Sequence, residues 1–210
     1  MFVEYLSSAL VTLMVTLDPP GLAPIFLSLT RGMSNDERRQ VALRASIIAF
    51  CIMAFFGLAG DVVLKALGVS LPAFRIAGGL LLFWIAFEMV FERRNERKQA
   101  TAETAITQDH IRNVAAFPLG IPLMAGPGAL TAMMLLAGRA NGDLAMLGSL
   151  VAICGLVILS CLVVFWLAVP IARLLGVTGN VVLTRLLGVI LAALAVQFVI
   201  DGIQAVVRSG

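Results

Sequence analysis

Asp18-Pro19-Pro20-Gly21 and Ala125-Gly126-Pro127-Gly128 interrupt two long apolar stretches at matching places in the two halves of this 210-residue chain. Proline removes a backbone donor and ends a helix, and glycine lets the backbone turn or be approached closely. Each interruption therefore leaves unpaired N–H groups on the helix that starts and unpaired carbonyls on the helix that stops. A helix start carries partial positive charge suited to a carboxylate; a helix end can hold an ammonium or another cation. Asp18 adds an acid to the first interruption only. In apolar surroundings a lone carboxylate is costly, so Asp18 requires a proton, a cation or an amine beside it.

The elements that position these residues follow from composition. With 60% hydrophobic and 13% charged residues and a mean hydropathy of +1.03, the chain is far more apolar than a soluble domain, which carries roughly 25% charged residues. It reads as an all-α integral membrane protein. At some 20 apolar residues per crossing, the length accommodates about six helices. Net charge is only +3, so a pI near 9.1 points to Lys and Arg gathered on one membrane face rather than to nucleic acid.

Apolar runs predict spans near 5–30, 40–64, 70–91, 113–138, 144–170 and 181–206. Met1-Phe2-Val3-Glu4 lacks the basic start of a cleavable signal, so the first run is expected to remain as a span. Ser34-Asn35-Asp36-Glu37 has the form of a capping box and predicts that the second helix begins in water. Glu92-Arg93-Arg94-Asn95-Glu96-Arg97-Lys98 and the polar stretch to Arg112 read as a solvated cytoplasmic linker, 92–112, between a first unit, 1–91, and a second, 113–210. Cys51, Cys154 and Cys161 lie in apolar stretches and read as free thiols.

Eleven of the Lys and Arg residues fall after spans one, three and five, and four on the opposite side. The excess places the first side in the cytoplasm and both termini outside. The halves also repeat. Pro20-Gly21, Leu67-Gly68-Val69-Ser70 and Arg75-Ile76-Ala77-Gly78 recur in order as Pro127-Gly128, Leu175-Gly176-Val177-Thr178 and Arg185-Leu186-Leu187-Gly188. Three spans per half is an odd number, so the second copy must be inverted relative to the first, as in many secondary transporters. Both interruptions then bring a helix start and a helix end to mid-membrane, where broken backbone needs a compensating partner.

Other polar residues have plainer readings. Arg75 and Arg185 suit interfacial anchoring, Glu88 and Asp201 near helix ends reach water, and His110 is solvated in the linker. Thr12, Thr16, Thr131 and Gln197 either line a path or bond neighbouring helices, and Gly78, Gly79 and Gly188 pack helices within or between protomers. No metal set, cofactor motif or nucleophile motif is present, since there is neither His-Glu-x-x-His nor Gly-x-Ser-x-Gly, so an enzyme is not expected.

Asp18-Pro19-Pro20-Gly21-Leu22-Ala23-Pro24-Ile25-Phe26 and Phe117-Pro118-Leu119-Gly120-Ile121-Pro122-Leu123-Met124-Ala125-Gly126-Pro127-Gly128-Ala129-Leu130-Thr131 resemble the two signature segments of the MarC family of bacterial inner-membrane proteins. Arg75-Ile76-Ala77-Gly78-Gly79 fits the same resemblance, which extends over nearly the whole chain. It implies a six-span protein related to small neutral amino acid transporters, moving glycine or alanine with a proton or sodium gradient. The resemblance places the substrate on Asp18, Pro20, Gly21, Leu22, Gly126, Pro127, Gly128, Ala129 and Thr131, and Asp18, as the acid at a break, is also expected to hold the coupling ion. The expected partners are lipid, a small amino acid and H+ or Na+, in the bacterial inner membrane. A passive pore and a non-transporting membrane protein are the alternatives.

Overall fold

The computed structural model describes residues 2–94, 97–100, 114–140 and 142–209, and among them every regular element is helical. The elements are α1 (Phe2–Leu17), α2 (Pro19–Leu29), α3 (Asn35–Ala66), α4 (Leu71–Val90), the wide-wound segment α5 (Ala115–Met124), α6 (Pro127–Arg139), α7 (Leu144–Trp166) and α8 (Ala168–Ser209). Five stretches are long and apolar enough to cross a membrane: Phe2–Leu29, α3, α4, α7 and Thr178–Arg208. The pair α5 and α6, bent by 56°, makes a sixth if it crosses as one.

Local sequence explains the starts and breaks. Ser34 closes the expected capping box at the head of α3: its Oγ accepts from Glu37 N at 3.4 Å, and its own N donates to Glu37 Oε2 at 2.8 Å. Gly68 and Gly176 both take positive φ, 69° and 58°, a conformation glycine adopts without steric cost. Each sits just ahead of an apolar run, α4 in one case and Thr178–Arg208 in the other.

α5 departs from the expected helix. It is wound with i→i−5 bonds, Leu119 N to Val114 O at 3.3 Å and Ala125 N to Gly120 O at 2.9 Å. Phe117 and Ile121 have extended backbones, and each precedes a proline across a cis peptide bond. Pro118 and Pro122 contribute no N–H and crowd the residue before them out of the helical region, so a regular α-helix cannot continue through this segment.

The broken stretch Phe2–Leu29 lies innermost, with 67% of its apolar window buried against 28% for α3. α7 packs on α1, α2 and α3, while α4 packs along α8. Phe26 of α2 stacks on Phe165 of α7 at 4.7 Å between centroids. Glycines allow the close contact of α4 with α8: a Cβ on Gly79 would stand 2.8 Å from Ala195 O, and one on Gly188 would stand 3.1 Å from Ala86 O. These glycines therefore pack helices within the protomer. Large apolar side chains such as Phe55, Leu80, Val62 and Leu186 point outward, as a lipid-facing surface requires.

The charge run after α4 is only partly solvated where it is described. Arg94 and Lys98 are buried, at 6% and 7% exposure, whereas Arg93 and Arg97 are exposed and Glu92, paired with Arg185 at 2.8 Å, is half-buried. Residues 101–113, with His110 and Arg112, and Asn95-Glu96 lie outside the described residues.

Candidate functional site

The first break is built by one residue. Asp18 takes a left-handed backbone conformation, φ 56° and ψ 65°, which ends α1 and turns the chain into α2. Pro19 and Pro20 then open α2 and have no N–H to leave unpaired. Gly21 N is capped by Asp18 Oδ1 at 3.2 Å, and Leu22 N bonds Asp18 O at 3.2 Å. The start of α2 therefore has no free donor. A Cβ on Gly21 would stand 2.1 Å from Asp18 Oδ2, so the carboxylate fits only against glycine.

The second break lacks such a cap. Gly126 precedes α6 and provides no side chain, and Pro127 occupies the first position. Leu130 N bonds Gly126 O at 3.0 Å, while the Gly128 and Ala129 N–H groups have no acceptor among the described residues. A Cβ on Gly126 would lie 2.4 Å from Pro122 O, a backbone atom that cannot swing aside.

Between the breaks lies a cavity of about 340 Å³. Gly126, Pro127, Gly128 and Ala129 form one side, Leu81, Trp84 and Ile85 of α4 another, and Thr16, Arg94, Arg97 and Lys98 a third. The basic side chains are held by charges and dipoles of the spans. Lys98 Nζ reaches Asp18 Oδ2 at 3.3 Å. Arg94 Nη1 donates to Val15 O at 3.4 Å and to Met89 Sδ at 2.8 Å, and its Nη2 donates to Thr16 O. The guanidinium thus caps the carbonyls that the break exposes at the end of α1, where negative partial charge favours a cation. Arg97 pairs with Glu88, Nη1 to Oε1 at 2.9 Å and Nη2 to Oε2 at 2.8 Å.

Several expectations change here. The cation at the end of α1 and the partner of Asp18 are both supplied by the chain, through Arg94 and Lys98. The start of α2 is not open for a carboxylate, because Asp18 fills it. Glu88 does not reach water; it is buried against Arg97. Of the expected substrate residues, Gly126, Pro127, Gly128 and Ala129 line the cavity. Asp18 touches it through Lys98, whereas Pro20, Gly21, Leu22 and Thr131 do not line it. Thr16 does line it, with its hydroxyl donating to Thr12 O at 2.8 Å within α1. Arg94 and Lys98 are the residues that sequence reasoning missed. Their spacing of four puts them on one helical face, and an acid inside a span needs a cation, which together could have pointed to them.

A second polar cluster closes the end of α6. Arg139 Nη2 meets Asp201 Oδ2 at 2.5 Å and its guanidinium lies 4.2 Å over the Phe198 ring. Gln197 Nε2 donates to Asp201 Oδ1 at 2.7 Å, and Arg75 Nη2 donates to Gly138 O at 2.9 Å. Asp201 thus serves an ion pair, Gln197 a side-chain bond, and Arg75 the end of a neighbouring helix. Among the described residues no group of acids, His and Cys is placed to hold a metal.

Comparison with known proteins agrees with this architecture of apolar helices. The family model "MarC family integral membrane protein" matches residues 3–207. A "UPF0056 membrane protein" of Aquifex aeolicus is 36% identical, covering 95% of this chain and 92% of its own length. "UPF0056 membrane protein YhcE" of Escherichia coli is 34% identical over 92% and 89%. "UPF0056 inner membrane protein MarC" of Citrobacter koseri is 31% identical over 95% and 94%. No solved structure matches the chain. A match over nearly the full length, joined to five or six apolar spans, places the chain in the MarC family of multi-pass integral membrane proteins.

Proposed function

We propose that this protein is a secondary transporter for a small neutral amino acid of glycine or alanine type, driven by a proton or sodium gradient. The observation that carries the reading is the cavity of about 340 Å³ at the second helix break, near the lower end of the range of ligand pockets, about 300–1,000 Å³. Free N–H groups at the start of α6 suit the substrate carboxylate. Asp18, an acid held inside a span, is the group whose charge state couples to the ion, and Lys98 is the cation that must let go of it.

Six spans in two inverted repeats, residues 1–91 and 113–210, fit this reading. Supporting it, the pairs α3 with α7 and α4 with α8 each join an element of one half to its counterpart in the other. Gly68 and Gly176, which correspond in the repeat, share a positive φ. Both termini then lie outside the cell and the 92–112 linker on the cytoplasmic side, with Arg94 and Lys98 folded in toward the first break. Proteoliposomes carrying the protein are expected to take up labelled glycine or alanine, saturably, under an imposed proton or sodium gradient. Flux that never saturates would replace the transporter by a passive pore, and no flux of either kind by a non-transporting protein.

A further inference from the structure

We infer that the cavity recognises its ligand by a carboxylate alone, with Arg94 as the specificity-determining residue, so that small monocarboxylates bind there as well as amino acids. The inference rests on reading the cavity as the ligand site.

The argument is one of charge balance. A buried guanidinium is ordinarily matched by a carboxylate, because removing a cation from water without a counter-charge is costly. Arg94 is buried and lines the cavity, yet its hydrogen-bond partners are two carbonyls and a thioether. No carboxylate among the described residues bonds to it. The nearest acid, Asp18, is already shared by Lys98 and the Gly21 N–H. Glu88 is engaged by Arg97. Described side chains around the cavity therefore bring three cations against two carboxylates, and Arg94 lines the same cavity as Gly128 and Ala129.

Among the described residues the first break holds no comparable place for an ammonium. Lys98 occupies Asp18 Oδ2, the carbonyls of Val15 and Thr16 are taken by Arg94, and the walls on α4 are apolar. A ligand carboxylate between Arg94 and the two free N–H groups satisfies all three at once, and a charge-assisted bond to the guanidinium is the strongest of them. An α-amino group meets two cations instead, so it adds nothing to affinity.

The purified full-length protein in detergent is titrated with alanine, propionate and alaninamide, and thermal stability is read at each concentration, since a ligand that binds the folded state raises it. Alanine and propionate are expected to bind within about threefold of one another, alaninamide not at all. Arg94→Gln weakens both carboxylates by about tenfold or more, and Arg94→Lys restores part of the binding because it keeps the charge. The wild-type ligand series stands even if a variant fails to fold. Alaninamide binding as well as alanine, propionate failing where alanine binds, or none of the three binding would each overturn the inference. Carboxylate binding without gradient-driven uptake removes the transport reading and leaves this one. Uptake of alanine with no binding of propionate does the reverse.

Discussion

The two helix breaks share a Pro-Gly core and differ in how the backbone is completed. At the first, Asp18 caps α2, two prolines remove donors, Lys98 neutralises the acid and Arg94 fills the end of α1. At the second, glycine takes the place of the capping acid and two N–H groups face a cavity. A broken membrane helix can thus be satisfied from within or left to be satisfied by a ligand. Only the second arrangement provides a vacancy, and the first supplies the charges that surround it.

The largest effect is expected from breaking the closed side. Asp18→Ala leaves Lys98 buried without its acid, and removing one partner of a buried ion pair costs about 3–5 kcal/mol; thermal unfolding of the purified variant measures it. Asp18→Asn combined with Lys98→Gln removes both charges and should recover most of that loss. A double variant no more stable than Asp18→Ala would mean that the pair is not what holds the first break together.

Next comes Gly126→Ala at the open side. Its Cβ would press on Pro122 O at 2.4 Å, and overpacking of this kind costs about 1–3 kcal/mol. Ligand binding should fall as the cavity wall shifts, whereas Gly21→Ala, which displaces only the Asp18 carboxylate, should act mainly on stability. Comparing unfolding and binding for the two variants separates the roles.

A subtler change makes the second break resemble the first. Gly128→Pro writes the Pro-Pro of α2 into α6 and deletes one free N–H. Ile85→Val in the same protein removes the Cδ1 atom that a side chain at 128 would meet at 2.3 Å. Losing one donor to a charged ligand costs about 1.5–3 kcal/mol, read as weaker alanine binding against the Ile85→Val background. The smallest effect belongs to Ser34→Ala, which removes the cap of α3, far from both breaks. It should lower stability by about 1 kcal/mol and leave ligand affinity as it was.

Much of this comparison was legible in the chain. Periodicity and apolar length located the helices because bilayer thickness dictates their size, and Ser34 with Glu37 marked a helix start by local chemistry alone. Asp18 and Gly126-Pro127-Gly128 stood out because polar or helix-breaking residues inside a span demand a reason. The winding of α5 was not legible: Pro118 and Pro122 announce an interruption, but which backbone replaces the helix depends on neighbours such as α3. Arg94 and Lys98 were misread for a related cause. A run of charges beside a span looks like water-facing chain until the fold brings an acid and a set of bare carbonyls within reach, and those lie almost eighty residues earlier.

The position of Arg94 and Lys98 bears on how the chain could be cut. Both are attached to the first half through α4, yet they complete a cavity whose other wall belongs to α6. Two co-expressed fragments should reassemble a working protein when the cut falls between Ala100 and Val114. A cut directly after Val90 would strand the guanidinium and the ammonium on the wrong fragment, and the first fragment would then carry Asp18 with nothing to neutralise it.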